Sequence, residues 1–236
     1  MEEAEQSQDY KRLGGCEMKK PVVDYRTFRL SKIREQQFNH LLYLSGWIVY
    51  FTLYYLTERF IPNNTGHLIH CALDDIIPFC EYFVVPYVGW YFLIAGSLIY
   101  FALYNPKNFK NMQTFLIIVQ MLAMVIYIVY PNYQDLRPQN LEVDSVFTYM
   151  ISKLYEIDTN TNVCPSMHVA FSIGMASVWI REETAAKWVR ALIVLFCTSV
   201  IMAVVLIKQH SAIDILVALP LCLFAEWFTF WRKKKC

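Results

Sequence analysis

Long runs of hydrophobic residues alternate with short polar segments along this chain of 236 residues. Six of the runs approach the roughly 20 residues that a helix needs to cross the hydrocarbon core of a bilayer. The predicted spans cover residues 41–57, 82–104, 112–130, 166–180, 191–207 and 211–231. The pattern therefore predicts an all-α polytopic membrane protein with six transmembrane helices in one bundle.

Composition agrees with this pattern, because 56% of the residues are hydrophobic and only 17% are charged. A soluble domain of average composition carries more charge than this. Residues 1–38 are polar and mixed in charge, so we expect a partly disordered cytoplasmic tail there and a membrane domain over 39–236. The net charge of +1 gives no indication of a nucleic-acid partner, and the expected partner is the lipid bilayer itself.

The distribution of Lys and Arg predicts the orientation. Of the 21 basic residues, 17 fall in the N-terminal tail, the C-terminus and the loops after the second and fourth predicted spans. The other side carries only Arg59, Arg137, Lys153 and Lys208. Because cytoplasmic loops are rich in Lys and Arg, both termini are expected in the cytoplasm. The loops 61–81, 131–165 and 208–210 are then expected on the outer side.

His210 and Asp214 are the first candidates for chemistry. A spacing of four residues on a helix places both side chains on one face. A carboxylate beside an imidazole fixes its tautomer and stabilises its charged form, which makes the other ring nitrogen a better nucleophile or base. The alternative from these two residues alone is a surface histidine with an aspartate at a helix end.

Three further segments on the outer side carry candidate residues. Pro165 suits the first turn of a helix, where free backbone N–H groups and the Ser166 hydroxyl can bind an anion. His168 would stand beside that anion and can protonate a leaving oxygen. Arg137 and Lys208 are basic residues that can pair with phosphate oxygens. Each of these features, taken alone, also fits an ordinary helix start or a solvated loop.

Taken together, these segments resemble the signature motifs of the type 2 phosphatidic acid phosphatase superfamily. Its pattern is Lys-x6-Arg-Pro, then Pro-Ser-Gly-His, then Ser-Arg-x5-His-x3-Asp. Arg137 and Pro138, the run from Pro165 to His168, and the pair His210 and Asp214 follow that order here. Tyr130, Met167 and Val204 stand where the pattern has Lys, Gly and Arg. The Lys208, Gln209, His210 variant is similar to the branch of inositol phosphorylceramide synthases and their bacterial relatives.

The resemblance implies a role for each matched residue. His210 would attack phosphorus and form a phosphohistidine, Asp214 would orient His210, and His168 would be the general acid. Arg137, Ser166 and Lys208 would bind the phosphate oxygens. No metal or cofactor is implied. The expected reaction is hydrolysis of a lipid phosphate or diphosphate at the outer or lumenal face, and the alternative is transfer of a phosphoryl headgroup between lipids.

Other interpretations predict different features. A transporter would place ionisable residues near the bilayer midplane, whereas spans two, three and five contain none. A catalytically inactive lipid-binding member would lack the histidines or Asp214, which are present. Cys71, Cys80 and Cys164 lie on the predicted outer side, where a disulfide is chemically feasible, but spacing selects no pair. The expected location is a bacterial plasma membrane, or the endoplasmic reticulum or Golgi in a eukaryote.

Overall fold

Eight α-helices account for most of residues 21–60 and 66–232, which are the residues that the computed structural model describes. They are α1 (Ser45–Phe60), α2 (Ala72–Ile76), α3 (Val84–Tyr104), α4 (Pro106–Val129), α5 (Val146–Ile157), α6 (Met167–Ile180), α7 (Lys187–Leu206) and α8 (Ala212–Glu226). Short 3-10 helices cover Tyr25–Thr27, Leu30–Lys32, Asn39–Leu44 and Glu81–Phe83, and a π-helix continues α8 over Trp227–Trp231. Two-residue strands β1 (His67–Leu68) and β2 (Asn132–Tyr133) pair in parallel.

Four helical segments are long and apolar enough to cross a membrane. They are Glu81–Tyr104, Pro106–Val129, Lys187–Leu206 and Ala212–Trp231. Helix α6 is apolar but has only 14 residues, and α1 has 16. The predicted helical class is therefore confirmed, and four of the predicted spans correspond to described helices of membrane-crossing length and composition. The first and fourth predicted spans correspond to helices shorter than a full crossing.

The third predicted span begins six residues earlier than expected because Asn105 and Pro106 start the helix. The Asn105 side chain accepts a hydrogen bond from the Asn108 amide at 3.1 Å, which caps α4, and Pro106 occupies the first turn, where its missing N–H is not needed. The side-chain amide groups of Asn105 and Asn108 also donate to the buried Glu182 carboxylate, at 2.7 and 2.8 Å. These bonds join the α3–α4 turn to the α6–α7 loop.

Helix α6 lies at the centre of the bundle and packs against α4, α7 and α8. Nine of its 14 residues are buried. Gly174 allows the close approach of α4, because a Cβ there would lie 2.5 Å from Cδ1 of Phe115. The 14-residue apolar helix α6 is thus shielded on most sides by its neighbours. The site described below lies at its first turn.

Residues 21–38, the described part of the predicted cytoplasmic tail, contact the end of α3. The backbone amide of Val22 donates to the Leu103 carbonyl at 2.8 Å, and the Tyr25 hydroxyl donates to the Ala102 carbonyl at 3.1 Å. The Phe38 side chain is fully buried. Residues 21–38 therefore pack on the end of α3, and the remainder of the predicted tail lies outside the described residues.

The long segment 131–165, predicted to lie on the outer side, contains a helix that the hydrophobic pattern did not predict. In α5, the buried residues Thr148, Ile151 and Leu154 recur every three positions and form one face, which packs against α3. Strand β2 pairs with β1, and Asn132 bonds both the N–H and the carbonyl of Cys164 at 2.8 and 2.9 Å. These contacts fix the segment that leads into α6.

Candidate active site

His210 and Asp214 form a buried pair at the start of α8. The Ser211 side chain caps this helix, and the Asp214 Oδ2 atom accepts the Ser211 amide at 3.0 Å. His210 Nδ1 lies 3.0 Å from Asp214 Oδ2 and 3.0 Å from the Val163 carbonyl oxygen. Because both neighbours accept hydrogen bonds, Nδ1 carries the proton and Nε2 keeps its lone pair. No group in the described part of the chain bonds Nε2, and the ring lines a cavity.

His168 faces the same cavity from the first turn of α6. Its ring stacks on Tyr87 and packs against Trp90, with centroid distances of 4.2 Å to each. The two histidine rings lie 5.8 Å apart between centroids. Nε2 of His168 is buried and has no hydrogen-bond partner among the described residues. The histidines are 7% and 8% exposed, so both are largely shielded from bulk solvent.

The cavity has a volume of about 450 Å³ and distinct polar and apolar parts. Its polar end is formed by Asp158, Thr159, Thr161, Asn162, His168, Gln209 and His210. Aromatic and aliphatic side chains of α1, α3 and α6 form most of the rest, including Trp47, Tyr50, Tyr54, Trp90, Tyr91 and Phe171. From Trp47 to Tyr54 the wall extends roughly 10 Å along α1. Phe51 and Tyr91 on the wall are 57% and 49% exposed, so the apolar part opens to the outside of the bundle.

Asp158 is a site residue that the sequence analysis missed. It follows α5, and its Oδ2 atom accepts hydrogen bonds from the Tyr87 hydroxyl at 2.6 Å and from the Gln209 side chain at 3.2 Å. Gln209 is adjacent to His210 in the chain, so this carboxylate lies beside the nucleophile candidate. One feature of the sequence pointed to Asp158: it is an acidic residue near the end of a long polar segment, shortly before the fourth apolar run.

The residues predicted to bind phosphate do not line the cavity. The Arg137 guanidinium donates to the carbonyls of Tyr155 and Asp158 at 3.0 and 2.6 Å and lies over the Tyr155 ring, and burial lowers its pKa. The Lys208 ammonium donates to the carbonyls of Asp74 and Ile77 at 2.7 and 2.5 Å. Both cations therefore neutralise carbonyl groups that end nearby helices.

Ser166 also has a structural role. Its side chain accepts the Val169 amide at 3.4 Å and caps α6, and the residue is fully buried. Its own amide donates to the Asp214 carbonyl at 3.3 Å. Ser166 thus links the start of α6, which carries His168, to the first turn of α8, which follows His210. Within residues 21–60 and 66–232, no Lys or Arg lines the cavity.

Asp74 holds the start of α8 from outside the pair. Its carboxylate accepts the Ser211 hydroxyl at 2.5 Å and the Ala212 amide at 2.8 Å. Desolvation opposes ionisation of Asp74, but the hydrogen bonds from Ser211, Ala212 and Cys71 outweigh it and lower the pKa of this carboxyl. Helix α8, which begins two residues after His210, therefore has a second acidic cap, supplied by α2.

The cysteines of the outer side are free thiols, so the structure does not show the disulfide considered among Cys71, Cys80 and Cys164. Cys164 is buried directly before Pro165, and burial raises the pKa of its thiol. Across the described ranges, no three His, Cys, Asp or Glu side chains are grouped to hold a metal ion.

The arrangement brings together three of the six predicted site residues. One imidazole presents a lone pair, a carboxylate fixes its tautomer, and a second imidazole stands opposite. Such a pair can perform nucleophilic attack and proton transfer in a site of low dielectric constant. Comparison of the chain with protein-family models, with curated proteins and with solved structures gave no match.

Proposed function

We propose that this protein is an integral membrane lipid phosphatase that hydrolyses a lipid phosphate or diphosphate through a phosphohistidine at His210. One observation carries the proposal. Two buried histidines face each other at the polar end of an apolar cavity, and only one ring nitrogen of His210 is occupied. The phosphate of a lipid would lie between the rings while its hydrocarbon occupies the apolar part.

The proposed reaction has two steps. His210 Nε2 attacks phosphorus, the bond from phosphorus to the leaving oxygen breaks, and His168 gives that oxygen a proton. Water then attacks the phosphohistidine, loses its proton to His168, and the N–P bond breaks to free phosphate and His210. Asp214 keeps the Nδ1 proton in place and stabilises the positive charge that develops on the ring.

The proposed membrane arrangement has six spans, with α1 and α6 as the two shorter ones. Both termini are cytoplasmic and the site faces the outer or lumenal side. This orientation rests on the distribution of Lys and Arg. The expected membrane is a bacterial plasma membrane, or the endoplasmic reticulum or Golgi in a eukaryote.

Transfer of a phosphoryl headgroup to another lipid is the second candidate. The observation that favours it is the shielding of both histidines together with the opening of the apolar part beside Phe51 and Tyr91. An acceptor alcohol from the bilayer would reach the phosphohistidine through that opening. Water and alcohol therefore compete for the same intermediate.

The test is a turnover assay on the purified full chain in detergent with EDTA present. Phosphatidate and an isoprenyl diphosphate are offered, and inorganic phosphate is measured for the wild type, His210→Ala and the surface control His70→Ala. Phosphate release that survives EDTA and needs His210 but not His70 supports the phosphatase.

A second series supplies a phospholipid donor with a long-chain alcohol or ceramide. Transfer of the headgroup without phosphate release would replace hydrolysis by the second candidate. Absence of both phosphate release and headgroup transfer in the wild type contradicts both candidate functions.

A further inference from the structure

The charge on the cavity wall is unusual for a phosphate site. Sites that bind phosphate groups commonly supply several Arg or Lys donors, or a metal ion. Here the described lining residues include the carboxyl group of Asp158 and no basic side chain other than the two histidines. A bare phosphate monoester, which carries close to two negative charges, would meet little compensating charge.

The hydroxyl and amide groups at the polar end do not supply it either. Thr159 and Thr161 both donate to the Glu58 carboxylate, at 3.4 and 3.1 Å. The side-chain amide of Asn162 donates to the same carboxylate at 2.5 Å. These donors are directed toward Glu58, so these hydrogen bonds are not available to a phosphate in the cavity.

Aromatic rings line the cavity beside this acidic end. Tyr50, Tyr54, Trp90 and Tyr91 all contribute to the wall, and they come from the facing helices α1 and α3. A carboxylate with several aromatic faces is the chemistry that recognises ammonium and quaternary ammonium groups, through charge attraction and cation–π contact. Neither feature recognises an anion.

We propose that the cavity takes a zwitterionic phospholipid, in which an amine or quaternary ammonium headgroup is linked to the phosphate. The headgroup nitrogen lies among Asp158 and the aromatic rings, and the phosphate lies between His168 and His210. The headgroup thus brings the positive charge that the wall lacks. This inference rests on the phosphohistidine chemistry of the proposed function. It names a donor class for the second candidate, transfer of a phosphoryl headgroup, because such a lipid is a phosphodiester.

A zwitterionic phospholipid would react in two steps. His210 Nε2 forms a bond to phosphorus, the bond from phosphorus to the glycerol oxygen breaks, and His168 protonates that oxygen to give diacylglycerol. The headgroup phosphate stays on His210. Water or an acceptor alcohol then attacks phosphorus and gives its proton to His168, and the N–P bond breaks.

Turnover with matched lipids tests the substrate class. Phosphatidylcholine, phosphatidylethanolamine, phosphatidylglycerol and phosphatidate with identical short acyl chains are offered to the full chain, and diacylglycerol is measured. We expect kcat/KM to be about 10-fold or more higher for the two amine lipids. Asp158→Asn lowers that preference, whereas the matched control Asp135→Asn, on the outer surface, leaves it unchanged.

A second variant guards against a folding defect, because Asp158 also binds Tyr87 and Gln209. Tyr91 is about half exposed, so its replacement disturbs little packing. Tyr91→Leu is expected to lose part of the amine preference, and Tyr91→Phe is expected to keep it because an aromatic face remains. The inference is overturned if Tyr91→Leu and Tyr91→Phe show the same preference for amine lipids and Asp158→Asn keeps the preference of the wild type.

Binding to His210→Ala separates this inference from the proposed function. Calorimetric titration with short-chain phosphatidylcholine and phosphatidate measures recognition without turnover. Turnover that prefers phosphatidate overturns the substrate class and leaves the phosphatase standing. Selective binding of phosphatidylcholine with no His210-dependent turnover of any lipid contradicts the proposed function and supports the ligand class. Equal binding of both lipids overturns the class.

Discussion

Two histidines, His210 and His70, each lie beside aspartates but differ in which ring nitrogens remain free. His70 is partly exposed, and its two nitrogens lie 3.2 Å from Asp135 and 2.9 Å from Asp75. His210 is buried, and only Nδ1 is bound, by Asp214 and the Val163 carbonyl. Proximity of a histidine to an aspartate therefore does not by itself define a reactive site. A reactive imidazole needs one nitrogen held and the other free in a space that excludes water.

Replacing each histidine by alanine is the strongest test of this comparison. His210→Ala removes the proposed nucleophile, so lipid turnover should fall at least about 10⁴-fold. His70→Ala removes only a surface bridge and should leave turnover within about twofold of wild type. Initial rates of phosphate or diacylglycerol release measure both. Similar losses in the two variants would remove the distinction between the sites.

Asp214→Asn tests whether the held nitrogen matters. An amide group beside Nδ1 can donate a hydrogen bond, which favours the tautomer with the proton on Nε2 and removes the nucleophilic lone pair. The rate should fall roughly 10³- to 10⁴-fold while the helix stays folded. Phosphohistidine trapping after rapid quench should show no intermediate. Normal accumulation of the intermediate in this variant would contradict the orienting role.

His168→Ala tests the second ring. Loss of a general acid should lower turnover of a lipid alkoxide ester by about 10²- to 10⁴-fold. A nitrophenyl phosphate ester should lose much less activity, because its leaving group departs without a proton. The ratio of the two losses is the measurement. Equal losses for both esters would assign His168 to packing against Tyr87 and Trp90 instead.

Local patterns predicted the pairing of His210 with Asp214, because His210 lies in the turn that leads into α8 and Asp214 lies in the first turn of that helix. Apolar runs likewise predicted four membrane-length helices. Arg137 and Lys208 do not line the cavity, and the carbonyl groups they bind, such as that of Ile77, are distant in sequence. The predicted role of these residues depended on motif position, whereas their contacts depend on how the outer loops fold. Asp158 was missed for the same reason, since its neighbours Tyr87 and Gln209 come from other elements.

Asp74→Ala should have a moderate effect on stability, because Asp74 binds the start of α8 and does not line the cavity. Loss of the bonds to Ser211 and Ala212 should lower the free energy of unfolding by about 0.5–2 kcal/mol, as for other helix caps. Thermal unfolding in detergent measures this. Asp74→Asn keeps an acceptor and should restore most of the stability. A fall in kcat with unchanged KM in the alanine variant would show that the cap also positions His210.

The smallest effect concerns pH at His70. Hydrogen bonds and charge interactions with Asp135 and Asp75 raise the pKa of His70 above 6.5. A raised pKa in the folded protein means that the bridge stabilises fully below pH 6.5 and is lost as the pH rises through the folded pKa. Hydrogen exchange in residues 66–81, corrected for the intrinsic rate, should therefore show less protection at high pH. His70→Gln should abolish this pH dependence and leave catalysis unchanged. Retained pH dependence in that variant would assign the titration to another group.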